Sequence, residues 1–325
     1  MTKLDHSLIY LKSENARISL KGLSNYLKKS IQRLKYSVSS LEREGVLSKP
    51  YCVFDYSYFG LILFRIYFKE GYVNEQSKKG IIDLLDSNPY ITSIYELIGE
   101  FGLVVEFASP NPSKFNKELK KLIELDETLN DYKVALNIVT HIYPRQYLIK
   151  DTKLQFYNLE RVIGGDRNVE TFNKNEILII KNLFLTPTIS LTNLSRKSNL
   201  NIKTVKSVMS NLTSRNVVKG FKYVVDKNKI EIYNFRLFLK LHNLTAEKEA
   251  EFMKYMVSTK DIIQLNKTVG DWDIEIDIES LDKNRIREII LETREKFKDI
   301  IEKFNLIEIY KCHKKSYLPK YLFNF

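Results

Sequence analysis

Apolar residues recur every three or four positions in three short stretches at the start of the chain, and the same pattern returns about halfway along it. Such spacing places the apolar side chains on one face of a helix. The stretches are residues 4–14, 20–27 and 31–43, and their counterparts are residues 175–184, 191–198 and 202–214. A short apolar segment follows each set, at residues 46–47 and 217–218. Three helices followed by a short strand predict a winged helix-turn-helix, twice.

The segments between and after these modules alternate apolar and polar residues, which is typical of strands, and helical stretches interrupt them. Both copies follow the order βαββαβ, which predicts a ferredoxin-like sandwich with helices on one face of an antiparallel sheet. The first copy has strands at 59–68, 94–98, 103–108 and 134–140, with helices at 74–86 and 112–124. The second has strands at 232–242, 262–269, 274–278 and 306–312, with helices at 246–258 and 283–304. The predicted fold class is therefore α+β.

The two copies align with a constant offset of 171 positions across the third helix. Lys35 matches Lys206, Ser39 matches Ser210, and Gly45 stands opposite Asn216, which like glycine tolerates the left-handed conformation that ends many helices. We expect Ser19 and Ser190 to cap the second helix of each copy. The chain therefore contains one two-domain unit written twice.

In both third helices the face opposite the apolar stripe carries short polar and basic side chains, of the kind that can enter a DNA major groove. Lysines near the helices and on the predicted wings are expected to contact phosphates. The candidate DNA-binding residues are Lys28, Lys29, Ser30, Gln32, Arg33, Lys35, Tyr36, Ser39, Ser40, Arg43, Lys203, Thr204, Lys206, Ser207, Ser210, Asn211, Lys219 and Lys222.

The net charge of +12 is unevenly distributed. It divides into +6 for residues 1–50, −2 for 51–150, +7 for 151–225 and +1 for 226–325. The helical modules therefore carry the positive charge, which favours a nucleic-acid partner. Two cysteines and four scattered histidines predict neither a disulfide framework nor a metal site, and no apolar run is long enough for a membrane span. We expect a cytoplasmic protein without a cofactor.

The order of these elements resembles the Lrp/AsnC (feast/famine) transcriptional regulators, whose second domain is called RAM. The resemblance rests on residues 173–178 (NKNEIL), 191–195 (LTNLS) and the turn 270–273 (GDWD), and in the first copy on 41–47 (LEREGVL). It implies paired RAM sheets, here within one chain or between copies of it, and a small effector such as an amino acid. Gly270, Asp271 and Asp273 are the candidate effector residues. The corresponding turn 99–102 (GEFG) lacks the second acid.

The sequence thus predicts a sequence-specific regulator that binds double-stranded DNA and is not an enzyme. The predicted boundaries are helix-turn-helix modules at 1–55 and 171–230, RAM domains at 56–148 and 231–325, and a linker at 149–170.

Two other functions stay open. Siroheme decarboxylases resemble the same regulators and occur as paired or fused copies, with a His-Asn-Tyr-x-Arg stretch in the second sheet strand. Residues 93–97 (SIYEL) and 264–268 (QLNKT) contain no histidine there, but His141 and His313 follow the last strands of the two copies at similar places. The other function is a scaffold or co-regulator whose first module has lost DNA contact, because Pro50 is expected to cut its wing short.

The polar face of the second sheet also has two interpretations. Arg236 lies on one strand, and Glu275 and Asp277 lie on the neighbouring strand. We expect cross-strand ion pairs on a solvent-exposed face. The alternative is polar recognition at an interface between the two sheets.

Overall fold

The computed structural model describes residues 4–69, 74–150 and 160–323, and these form ten α-helices and eleven β-strands. The helices α1–α10 are His6–Glu14, Leu20–Leu27, Ile31–Arg43, Glu75–Ser87, Pro112–Ile123, Lys174–Leu185, Leu191–Ser198, Ile202–Ser214, Ala246–Ser258 and Lys283–Lys296. The strands β1–β11 are Leu47–Phe54, Ile62–Phe68, Ile91–Ile98, Leu103–Ser109, Tyr132–Ile142, Arg161–Gly164, Val218–Val225, Tyr233–Leu241, Ile262–Val269, Ile274–Ser280 and Ile301–Lys315. The predicted α+β class, with helix-turn-helix modules alternating with ferredoxin-like sheets, is confirmed. None of the described helices is long and apolar enough to cross a membrane.

Local sequence signals set the helix ends as expected. Ser19 and Ser190 accept hydrogen bonds from backbone amides in the first turns of α2 and α7. Gly45 and Asn216 both have positive φ angles, 72° and 61°, just after α3 and α8. The predicted caps are therefore present in both copies.

The predicted wings differ from the structure. Strands β1 and β7 are each eight residues long and pair antiparallel with each other, from Leu47 opposite Val225 to Phe54 opposite Val218. Pro50 lies at a register shift inside β1 and does not end the strand. The two modules therefore share one two-stranded ribbon, because each strand finds its partner in the other copy.

The ribbon strands also exchange hydrophobic cores. Val53 and Phe54 of β1 pack with the second helix-turn-helix, in the cluster that holds Leu183. Tyr223 and Val225 of β7 pack in the cluster of the first helix-turn-helix. Each module is therefore completed by a strand from the other half of the chain.

The ferredoxin-like sheets have the strand orders β5-β2-β4-β3 and β11-β8-β10-β9, and they join at both edges. Strand β3 pairs with β11, and β5 pairs with β9, so eight strands close into a barrel. Helices α4, α5, α9 and α10 pack outside it. The paired sheets expected within one chain are therefore present.

The barrel interior is charged. Arg65 of the first copy is fully buried and forms ion pairs with Glu106 at 3.0 Å and with Glu275 of the second copy. Arg236 and Asp277 are also buried and form a two-point ion pair, with distances of 2.6 and 2.9 Å. The expected solvent-exposed face is therefore wrong, and the alternative interpretation, polar recognition between two sheets, is correct.

One strand breaks the symmetry of the two copies. Strand β6 pairs with the end of β5, with Thr140 opposite Ile163 and Ile142 opposite Arg161. The corresponding part of β11 pairs with β3 on one side. On its other side, beyond Glu308, no strand of the described chain pairs with β11. The second copy therefore has a slot where the first has β6.

The buried ion pairs give a stability prediction. Arg65→Met leaves Glu275 and Glu106 buried with fewer partners, and we expect a loss of about 3–5 kcal/mol in the free energy of unfolding. Arg285→Met is the matched control, since Arg285 is only half-buried and pairs with the exposed Glu288 and Glu292 on the surface. It should cost about 0–1 kcal/mol. Urea unfolding measures both, and equal small losses would contradict a dependence of the barrel on Arg65.

Candidate functional site

The two predicted recognition helices present their polar faces to solvent. On α3, Tyr36 is 71% exposed, and Gln32, Arg33, Lys35, Ser39 and Arg43 are also exposed. On α8 the exposed residues are Lys203, Lys206, Ser207, Ser210 and Asn211, and Thr204 is half-buried. Lys28 ends α2 with a φ of 52°, and Ser30 caps α3. The Lys29 ammonium pairs with Asp5, and the Ser40 hydroxyl donates a hydrogen bond to Glu44.

The two wing lysines are placed differently from their predicted role. Lys222 is only 3% exposed and lies 2.7 Å from the Glu14 carboxylate. The Lys219 ammonium lies 3.5 Å from buried Asp55. Neither ammonium is available to a DNA phosphate, which corrects the expectation for these two residues. The cause is the shared ribbon, which turns these side chains toward the other half of the chain.

The candidate effector turn lies at a seam between the two sheets. The Asp271 carboxylate pairs with Lys133 at 3.0 Å, and the Asp273 carboxylate pairs with Lys240 at 3.0 Å and accepts from the Leu241 amide. A Cβ on Gly270 would lie 3.2 Å from the carbonyl oxygen of Val134 on β5. The turn therefore carries acids that already have partners and a glycine that allows close strand contact.

The slot beside β11 forms a cleft of about 260 Å³ between the ribbon and the free edge of that strand. Its walls come from the start of β1, the end of β7 with the following turn, and the last residues of β11. The lining residues are Ser48, Lys49, Val224, Val225, Asp226, Lys227, Ile309, Tyr310, Lys311, Cys312, His313, Lys314 and Lys315.

Positive charge dominates this cleft, since five lysines line it and Asp226 is the one carboxylate among the residues above. Lys314 pairs with Asp86 at 3.2 Å and Lys315 with Glu106 at 3.1 Å. Lys49 and Lys311 are exposed and form no ion pair with another described residue. These two ammonium groups are the ones free to meet an anionic ligand.

His313 adds a proton-exchanging group to the cleft. Its Nε2 lies 3.0 Å from the Glu96 carboxylate, and Glu96 is in the segment 93–97 noted above. Burial lowers the pKa of the His313 imidazole, and the hydrogen bond with Glu96 opposes that change. His141 instead contacts Glu160, beside β6. Sequence reasoning noted both histidines but missed the cleft, although the run 311–315 (KCHKK) is its clearest signal.

No cluster of metal-ligating side chains occurs among the described residues. The Glu106 carboxylate is buried behind the cleft and stays ionised. Burial raises the pKa of Glu106, but Lys315 and Arg65 outweigh burial and lower that pKa to about 2. The back wall of the cleft therefore consists of fixed ion pairs.

Comparison with solved structures shows a likeness over nearly the full length of the chain. The chain is similar to the siroheme decarboxylase NirDL, with 13% identity and a TM-score of 0.58 over 96% of this chain and 93% of that chain. A structure of the same enzyme in co-complex with an iron-uroporphyrin III analogue gives 13% identity and a TM-score of 0.57 over the same shares. At this identity the likeness establishes the fold.

Lrp/AsnC regulators match only part of the chain. An AsnC family transcriptional regulator from Agrobacterium tumefaciens covers 47% of this chain and 99% of its own, with 13% identity and a TM-score of 0.41. No protein-family model matches the chain, and a search of curated proteins found no match.

The full-length likeness corrects one expectation. We expected a protein that is not an enzyme, but the solved structure that matches 96% of this chain is a siroheme decarboxylase, which is an enzyme. The expectation failed because no recognisable catalytic motif marks the sequence.

The charged wall predicts a specific acid sensitivity. The Glu106 carboxylate has a pKa of about 2 in the folded chain, against 4.5 as its ordinary value. Its stabilising contribution is therefore complete above about pH 4.5 and is lost as the pH falls toward 2. Urea unfolding at pH 5.5 and pH 3 should show a smaller pH-dependent loss in Glu106→Gln than in the unmodified chain. Exposed Glu124→Gln is the control, and equal losses in all three would contradict the assignment.

Proposed function

We propose that this chain binds an anionic tetrapyrrole in the cleft between ribbon and β11, and decarboxylates it in the manner of a siroheme decarboxylase. The observation that carries the proposal is the set of five lysines and one histidine around a slot that only the second copy leaves open. The full-length likeness to an enzyme solved with an iron-uroporphyrin III analogue supports it.

The cleft has the two surfaces that a polycarboxylate ring system needs. Val224, Val225 and Ile309 provide apolar contact for a flat ring, and Tyr310 adds an aromatic side chain. Lys49 and Lys311 at the rim would pair with carboxylates at the edge of that ring.

Decarboxylation breaks the bond between carbon and carboxylate, releases CO₂ and leaves an electron pair on carbon that must take up one proton. His313 is our proposed source of that proton, and Glu96 holds its ring at 3.0 Å. The role of Glu96 is to position the imidazole, since it lies behind His313.

DNA binding is a second candidate function, and one observation favours it. The polar faces of α3 and α8 remain exposed although both helices belong to tightly packed modules. In this proposal the two helices read two different half-sites, with modules at 1–55 and 171–230. Within the predicted linker 149–170, residues Arg161–Gly164 form strand β6 of the sheet. Residues 151–159 of that linker lie outside the described residues.

The tetrapyrrole proposal is tested by reversing charge at the rim. The double variant Lys49→Glu and Lys311→Glu should bind uroporphyrin about 10- to 100-fold more weakly, because each reversal replaces an attraction with a repulsion of about 1 kcal/mol or more. Absorption spectra of the porphyrin measure binding, and mass spectrometry of siroheme incubated with the chain detects loss of CO₂. The control is Lys203→Glu with Lys206→Glu on α8. Unchanged binding in the rim variant, or no binding by the unmodified chain, would refute the proposal.

For DNA binding the two variants exchange roles, and the α8 variant becomes the test. Lys203→Glu with Lys206→Glu should reduce affinity for genomic DNA fragments at least 10-fold and flatten the dependence of binding on salt, since two phosphate contacts are lost. Mobility-shift assays at two salt concentrations measure this, with Lys49→Glu and Lys311→Glu as the control. Equal DNA binding by all three proteins would reject the second candidate.

A further inference from the structure

A small chamber of about 70 Å³ lies under the ribbon and joins the cleft. Val225, Lys227, Ile309 and Lys315 line both spaces, so the chamber directly adjoins the cleft. A water molecule occupies about 30 Å³ in the liquid, so the chamber has room for a group the size of a carboxylate.

The charged cluster at the chamber, which includes Glu14 and Arg161 behind the lining residues, contains more positive than negative charge. The Glu14 carboxylate lies 3.3 Å from Arg145, 2.7 Å from Lys222 and 3.6 Å from Arg161. The Glu279 carboxylate lies 2.8 Å from Arg145 and 2.6 Å from Lys227. Four cations thus share two carboxylates, and these pairs account for every ion pair of the cluster within the described chain.

Burial makes this excess positive charge costly. Glu14 and Glu279 are fully buried, and Lys222 and Arg145 are 3% and 8% exposed. Burial lowers the pKa of the Lys222 ammonium to about 8, although Glu14 next to it acts in the opposite direction. A charged group in such surroundings is stabilised by a further counterion.

Tyrosines complete the chamber. The Lys315 ammonium lies 4.7 Å from the ring centre of Tyr317 and 5.4 Å from that of Tyr95. The rings of Tyr51 and Tyr317 are 6.1 Å apart. Tyr51 and Tyr317 both line the chamber, and the hydroxyl of each can donate a hydrogen bond. These two donors lie beside an excess of cations.

We propose that this chamber binds a single carboxylate group, with Lys222 and Arg145 as its counter-charges and the hydroxyls of Tyr51 and Tyr317 as hydrogen-bond donors. The group is either a small free carboxylate or one carboxylate side chain of the ligand in the cleft. The second source rests on the proposed function, and the first does not.

The other acids at the chamber already have partners. Asp277 is held by Arg236, and Glu279 also accepts a hydrogen bond from the Tyr147 hydroxyl at 2.7 Å. Their charge is therefore directed to those groups. Among the described residues, the one carboxylate partner of Lys222 is Glu14, which also pairs with Arg145 and Arg161, so the Lys222 charge is only partly neutralised and is available to a ligand together with the two tyrosine hydroxyls.

The test uses the full chain with acetate as the free probe and uroporphyrin as the large one. Acetate should raise the thermal unfolding midpoint more than chloride at equal ionic strength. Lys222→Met should abolish this difference and weaken uroporphyrin binding about 10-fold, because one charge-assisted contact is lost. Lys219→Met is the matched control: Lys219 lies on the same strand and also pairs with a buried acid, but it does not line the chamber.

Tyr317→Phe is the second variant. It removes one hydrogen-bond donor without changing the charge, and we expect it to keep the fold even if Lys222→Met does not fold. It should weaken acetate binding several-fold. No acetate effect in the unmodified chain, or an equal effect in all variants, would overturn the site. If acetate stabilises the unmodified chain but Lys222→Met leaves uroporphyrin binding unchanged, the chamber does not hold a carboxylate side chain of the ligand in the cleft. That result would overturn this one source of the carboxylate. An acetate effect without any uroporphyrin binding would leave the chamber standing and reject the proposed function.

Discussion

The buried pair between Arg65 and Glu275 connects the two halves of the chain inside one barrel. Arg65 comes from the first sheet and Glu275 from the second, and Glu106 and Asn266 both accept hydrogen bonds from Nη2 of the same guanidinium. Charges so deeply buried require their partners, so the two sheets must close on each other in this one register. Closure in turn brings β1 beside β7 and sets the slot against the edge of β11.

The two copies share an architecture but differ where ligands could enter. Strand β6 covers the end of β5 in the first half, whereas the equivalent edge of β11 remains open in the second. The open edge carries lysines, which are common on unpaired strands because they discourage pairing with another chain. Here Lys314 and Lys315 are fixed by Asp86 and Glu106, while Lys49 and Lys311 are not. The duplication therefore leaves one of the two corresponding strand edges covered and the other open to the cleft.

Local patterns predicted the parts of the fold that depend on neighbouring residues. The helices, their serine caps and the βαββαβ order follow from periodicity and turn chemistry within about ten residues. The shared ribbon could not be predicted this way, because its contacts join residues that are far apart in sequence. Lys222 pairs with Glu14, more than 200 positions away, and Tyr51 lies opposite Lys222 in the strand pairing. The cleft could be predicted only in part. The KCHKK run is visible in the sequence, but the open edge beside it depends on the fold, since the second copy has no strand in the described chain that corresponds to β6.

The distribution of net charge along the chain pointed to DNA because a sum over residues does not distinguish surface from interior. Of the basic block 151–225, Arg161, Arg215, Lys219 and Lys222 all lie in ion pairs within the molecule. The final block is nearly neutral in sequence, yet it contributes four of the five lysines around the cleft. Folding therefore moves positive potential away from the predicted wings and toward the slot beside β11. The exposed faces of α3 and α8 keep their own charge, so anion recognition at the cleft and contact with DNA depend on separate sets of residues.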